Sequence, residues 1–218
     1  MPKVSEEYIA DKRNFILECT GEILKEKPLY LVTMRDVIKK AGFSQGVIYR
    51  YYANLDEIFV DYINKHTICN VLEQKIDALL SSEQSAQIIL SDCFIAMGEY
   101  IAELLKSIIG KTFFELQILY SSDFEKTRAI FPKLKFKQSL EYSQYKTVEY
   151  ALRKLEEGVF RSQIPPLSLL AFVTIFIDGI AQSVVFNSAG GNNQDSEATP
   201  DIPEMFQVLA KAVIGFLK

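Results

Sequence analysis

The sequence predicts an all-α protein, with an N-terminal three-helix domain containing a helix-turn-helix and a helical C-terminal domain behind it. Three observations carry that expectation. Apolar residues recur at helical spacing almost everywhere, and no window alternates apolar with polar residues as a strand would. Proline, glycine and capping residues punctuate the chain at helix-length intervals. The 218 residues are 49% hydrophobic and 24% charged, which is enough to bury a core and too apolar for a disordered chain.

Each helix has its own signal. The first spans about Ser5 to Lys27, with Ile9, Ile16 and Ile23 on one stripe and Phe15, Cys19 and Thr20 beside it. Pro28 stops it, because a proline disfavours helical geometry at the residue before it. Thr33 can cap a short second helix to about Lys40, with Asp36 at its positive end, and Gly42 ends it. Ser44 is expected to cap a third helix through Tyr51. Asn54 and Glu57 open a fourth in N-x-x-E form, and its apolar positions run on to Leu80 as one rod about 40 Å long at ~1.5 Å per residue. A fifth covers about Gln84 to Lys106, and a sixth reaches Tyr120. A long helix from Asp123 to Glu157 must split or kink at Pro132 and stop at Gly158. Pro165 and Pro166 open an apolar helix to about Asn187. Ser188 to Pro203 reads as a loop, and Glu204 to Leu217 is the last helix. The total is nine or ten.

Several function classes drop out. The longest apolar run, Leu167 to Ile177, is eleven residues, where a bilayer needs about 20. The start, MPKVSEEYIADKR, lacks the apolar core of a signal peptide. Cys19, Cys69 and Cys93 are an odd, scattered set, so the expected location is a reducing cytoplasm. Nucleotide-binding glycine loops and the G-x-S-x-G elbow are absent, and His66 is the single histidine. No enzyme, metal or cofactor is expected. His66 and Cys69, near Asp61 and Glu73, read as packing rather than as ligands.

Charge is unevenly distributed. The net charge is −4, yet residues 1–55 hold nine Lys and Arg against seven Asp and Glu. Thr33 to Tyr52 hold Arg35, Lys39, Lys40 and Arg50 against Asp36 alone. A small basic head on an acidic body fits a reader of DNA. In that head Val37, Ile38 and Ala41 face inward, Gly42 makes the turn, and Phe43, Ile48 and Tyr52 form the inner face of the next helix. Its outward positions are Gln45, Gly46, Tyr49 and Arg50. They offer an amide for adenine, a phenol for phosphate and a guanidinium for guanine or phosphate, and Gly46 and Val47 are small enough for close approach.

The run TMRDVIKKAGFSQGVIYRYYANLDEIF resembles the DNA-binding segment of the TetR family of transcriptional regulators, with the likeness close over about residues 9–60. The resemblance implies a homodimer whose heads, residues 1–53, bind a palindromic operator through Thr33, Arg35, Ser44, Gln45, Gly46, Val47, Tyr49 and Arg50. It implies that residues 54–218 bind a small effector that releases a repressor, and that the last two helices pair with their copies. Phe172, Ile175, Gly179, Ser183, Phe206, Val213 and Phe216 are the candidates for that interface. Four positions depart from the family pattern: Pro28 for glycine, Val32 for threonine, Gln45 for a cation and Leu55 for lysine. Two missing cations per head imply a shallower salt dependence.

Phe and Tyr concentrate late, 17 of 26 lying after residue 90. Phe94, Met97, Phe113, Phe114, Phe172 and Phe176, with Gln117 and Tyr120 as polar anchors, are the candidate lining for a hydrophobic or aromatic effector. Tilt of the fourth helix would carry the signal to the head. Cys93 reads as a core thiol, and Lys133, Lys135 and Lys137 as a solvated face. The alternative is an all-α carrier or enzyme that has lost DNA binding.

Overall fold

The computed structural model describes residues 5–67, 70–189 and 201–217, which form eleven α-helices and, among those residues, no strand. In chain order they are α1 (Glu6–Glu26), α2 (Met34–Ala41), α3 (Gln45–Tyr51), α4 (Leu55–His66), α5 (Val71–Leu80) and α6 (Ala86–Leu105). There follow α7 (Ile108–Tyr120), α8 (Phe124–Ile130), α9 (Lys135–Glu156), α10 (Pro166–Ala189) and α11 (Ile202–Phe216). The chain divides into two compact units, Met1–Thr67 with Ser107–Lys135, and Ile68–Lys106 with Phe136–Lys218.

In the first unit Ser5 caps α1 by accepting from the Tyr8 N–H, and α1 ends one residue before the Lys27–Pro28 step. Its inner stripe buries Ile16, Cys19, Thr20 and Ile23, whereas Ile9 and Phe15, placed on or beside that stripe by periodicity, are 39% and 43% exposed. Two carboxylates fasten α7 and α8 beside the head. Glu115 on α7 accepts from the Leu29 N–H at 2.9 Å. The Tyr120 hydroxyl donates to Asp56 at the start of α4, and Lys126 on α8 pairs with the same carboxylate at 3.4 Å while lying 4.5 Å over the Tyr120 ring. A carboxylate in the first turn of α4 also meets the positive end of its macrodipole.

The expected rod from Asn54 to Leu80 is two helices. Thr67 takes an extended conformation, and both its N–H and its hydroxyl bond the Ile63 carbonyl, at 3.0 and 2.7 Å. Asn70, at φ +69°, then stands before α5. A threonine hydroxyl competes for backbone acceptors and asparagine tolerates left-handed geometry, so the break is affordable locally. Apolar spacing hides it, because Tyr62, Cys69 and Ile76 follow one another at seven-residue intervals. Cys69 lies outside the described residues, as does most of the expected loop from Ser188. This split raises the helix count from nine or ten to eleven among the described residues. Other breaks fall where expected: Pro132 sits in a 3₁₀ turn, Phe131–Lys133, and Gly158, at φ +74°, follows α9.

The second unit centres on α6 against α11. The two pack tightly at Gly98, where a Cβ would stand 2.6 Å from Cβ of Phe206. Leu90, Cys93, Phe94 and Met97 on α6 and Phe206, Leu209 and Val213 on α11 are buried. Burial pushes the Cys93 thiol up to about 11, the value of an inert core cysteine. Along α10, Leu169, Val173, Ile177 and Ile180 are buried, while Leu167 and Ile175 on other faces are 80% and 71% exposed. No helix among the described residues is long and apolar enough to cross a membrane.

Candidate nucleic-acid interface

The head is assembled by a short chain of local decisions. Lys27 and Pro28 end α1, and the 3₁₀ turn Leu29–Leu31 leads to Thr33. Thr33 and Asp36 form a reciprocal capping box: the Asp36 N–H donates to the Thr33 hydroxyl oxygen, and the Thr33 N–H donates to the Asp36 carboxylate at 2.8 Å. Lys27 adds an ion pair to Asp36 at 2.5 Å. These contacts, the Lys27 ammonium first and Thr33 next, hold the Asp36 carboxyl at about 2, well below the ordinary 3.8. Gly42 then takes φ +67°, a conformation that costs a glycine little, and turns the chain into α3.

Packing fixes which side of α3 faces out. Ile48 and Tyr52 are fully buried and Val47 is half-buried. Burying two such side chains contributes about 1.5–3 kcal/mol each. The Tyr52 hydroxyl donates to Asp61 on α4 at 3.1 Å, and Arg13 on α1 donates to the same oxygen at 2.6 Å while lying 4.7 Å over the Tyr52 ring. Burial pushes the Tyr52 phenol up to about 12, so it stays a donor. Arg13, Tyr52 and Asp61 thus lock the C-terminal end of α3 to α1 and α4. Periodicity gives no sign of this cluster, because its members lie far apart in the chain and only the tertiary fold joins them.

Of the eight residues singled out in the sequence, seven are exposed and Val47 is half-buried. Thr33, Arg35, Ser44, Gln45, Gly46 and Arg50 are exposed, and Tyr49 is 46% exposed. A Cβ at Gly46 would meet nothing within 4 Å. Ser44 stands at the N-cap of α3 but makes no side-chain capping bond, contrary to expectation. Asn54 does cap α4, whereas Glu57 reaches back to the Ala53 N–H rather than to that of Asn54. Arg35, Lys39 and Arg50 have no ion-pair partner among the described residues, while Lys40 is paired with Glu26. Leu55 is half-buried. An exposed amide, phenol and guanidinium on one short helix, with unpaired cations beside them, is a surface able to hold phosphates and read base edges.

The other candidates separate by unit. Phe113, Phe114, Gln117 and Tyr120 lie on α7 in the first unit, with Tyr120 engaged by Asp56. Phe94, Met97, Phe172 and Phe176 lie in the second, where Phe172 and Phe176 meet the rings of Phe216 and Phe206. Phe94 borders an apolar seam among α6, α9, α10 and α11 whose free volume is only about 20 Å³. Of the candidate interface residues, Ile175, Gly179 and Ser183 are exposed, Phe172 and Phe216 half-buried, and Phe206 and Val213 buried inside the unit.

Comparison with known proteins places this geometry. Residues 16–62 match the model for bacterial regulatory proteins of the tetR family. The chain is 26% identical over 191 residues, 85% of each chain, to the uncharacterised HTH-type transcriptional regulator YfiR of Bacillus subtilis. Among solved structures it resembles a TetR transcription regulator from Haloarcula marismortui, with a TM-score of 0.58 at 16% identity over 96% of this chain and 100% of the other. It also resembles the transcriptional regulator FadR of Bacillus subtilis in complex with stearoyl-CoA, with a TM-score of 0.57 at 14% identity over 94% and 98%.

Proposed function

Because residues 16–62 match the tetR family and the chain is similar to an HTH-type regulator, we propose that it is a TetR-family homodimeric repressor, released from a palindromic operator by a small hydrophobic or aromatic effector. The observation that carries the reading is the α3 face. Gln45, Gly46, Tyr49 and Arg50 are turned to solvent by the burial of Ile48 and Tyr52, with Arg35 and Lys39 unpaired beside them. In this reading residues 1–53 read DNA and residues 54–218 bind effector and partner subunit.

Support for the dimer is the exposed apolar side of α10, where Leu167 and Ile175 stand with the small residues Gly179 and Ser183. For the effector, support comes from the apolar seam beside Phe94, and from a protein of the same fold, the Bacillus subtilis FadR, that holds a fatty acyl thioester. A seam of about 20 Å³ is far below the ~300 Å³ of a ligand pocket, so effector binding requires α6, α9, α10 and α11 to part. An effector that favours the parted form weakens DNA binding only through that differential affinity, and DNA weakens effector binding by the same factor.

Mobility-shift titration against the DNA upstream of the chain's own coding sequence tests the reading. Tyr49→Ala and Arg50→Ala should each cost about 1–3 kcal/mol of operator affinity, and Gln45→Ala should relax discrimination at one position of each half-site. Affinity unchanged in all three variants overturns the assignment of α3.

A further inference from the structure

Residues 8–15 precede the segment that matches the family model, and their side chains do something specific. Tyr8, Lys12 and Phe15 fall at i, i+4 and i+7 on the first turns of α1, so they share a face. That face covers the turn between α2 and α3. Phe15 packs its ring 5.5 Å from that of Phe43, tilted by 51°. The Lys12 ammonium lies 4.9 Å from the Phe43 ring centre and 5.3 Å from that of Tyr8. Phe43 is half-buried, with Phe15 and Lys12 of α1 against its ring.

What the clamp holds matters because of how unevenly α3 is anchored. Its C-terminal end is fixed by buried Ile48 and by the Arg13–Tyr52–Asp61 cluster. Its N-terminal end has no capping side chain from Ser44, and Gln45 and Gly46 are exposed. Gly42, at φ +67°, is the joint immediately before Phe43. Phe43 stands immediately before the first turn of α3 and half-buried Val47 lies on it, beside Gln45 and Gly46, the proposed base-reading positions.

We infer that Lys12 and Phe15 position the recognition helix for DNA by clamping Phe43, without touching DNA themselves. This rests on the reading of α3 as the DNA-contacting helix. A head whose α3 is correctly aimed for only part of the time binds with an affinity reduced by that fraction. Loss of a ring pair or a cation–π contact of this kind lowers operator affinity about threefold to tenfold.

The test uses the full chain and a duplex recovered by its binding to random-sequence DNA. Phe15→Ala and Lys12→Gln should each weaken binding about threefold to tenfold, while Lys12→Arg, which keeps the cation over the ring, restores it. The slope of log affinity against log salt should not change in Lys12→Gln, because no phosphate contact is lost; a direct phosphate contact would lower it by about 0.9. Amide exchange at Phe43 to Val47 should quicken in both variants while that of Ile16 to Ile23 stays as it is. Wild-type affinity in Phe15→Ala, or a reduced salt slope in Lys12→Gln, overturns the clamp. Recovery of no duplex by the native chain overturns instead the reading of α3 on which it rests.

Discussion

Replacing Gly46 with alanine should raise stability and lower DNA affinity together, an opposition that few other readings of α3 would produce. The added methyl meets nothing within 4 Å, so the folded chain accommodates it without strain. Alanine in place of glycine in a helix contributes at most about 1 kcal/mol, which for a chain of this size is a rise in Tm of about 2–4 °C. On DNA the same methyl projects about 1.5 Å from a backbone that lies between Gln45 and Tyr49 on the reading face. Either the helix retreats by a comparable distance, lengthening its base-edge hydrogen bonds past about 3.2 Å, or the groove deforms. Loss of one good base contact is worth about 1–3 kcal/mol, so affinity should fall about tenfold or more. Thermal unfolding and fluorescence anisotropy with a labelled operator duplex, at one fixed salt concentration, measure the two effects separately. A Tm that rises with operator affinity held within twofold would refute the close approach of α3 to DNA. A Tm that falls would refute the open surroundings of Gly46.

The same substitution at Gly98 should act in the opposite sense: a Cβ 2.6 Å from Cβ of Phe206 is about 0.9 Å inside ordinary contact. Because Cβ of Phe206 moves only with the α11 backbone, overpacking should cost about 1–3 kcal/mol and shift the urea midpoint down, and an unchanged midpoint would contradict the tight α6–α11 contact. Asp36, held at about 2 when folded and near 3.8 when free, contributes stability that is present above about pH 4 and is lost as pH falls toward 2. Asp36→Asn should remove that part of the acid unfolding limb, which a pH series of thermal melts of both chains would reveal. Ile175→Asp, on the exposed side of α10, should convert the proposed dimer to a monomer in sedimentation velocity while the helical circular dichroism persists; a dimer of native strength would rule out that face as the interface.

Much of the head was legible in the sequence because its rules are local. Thr33 caps α2, Gly42 takes the left-handed turn, and burial of Ile48 and Tyr52 every fourth residue leaves Gln45, Tyr49 and Arg50 facing outward. Each of those outcomes depends on residues within four positions of one another, where backbone geometry and one hydrogen bond decide. Ser44 marks where such reasoning fails: a capping residue in a capping place donates or accepts only if its rotamer points inward, and here it makes no such bond.

The all-α class, the helix-turn-helix and the breaks at Pro28, Pro132 and Gly158 were determined by the sequence alone. Each is set by spacing or by a residue whose own backbone is constrained. Tertiary structure alone decided the partners. It joined Arg13, Tyr52 and Asp61, brought Glu115 to the Leu29 amide and Tyr120 to Asp56, and let α11 close on α6 at Gly98. It also buried Phe206 and Val213 within their own unit and left Ile175 exposed, although all three are apolar residues on apolar-rich helices. Periodicity says that a helix has an apolar face; which neighbour covers that face depends on contacts between residues remote in the chain, and no local pattern records them.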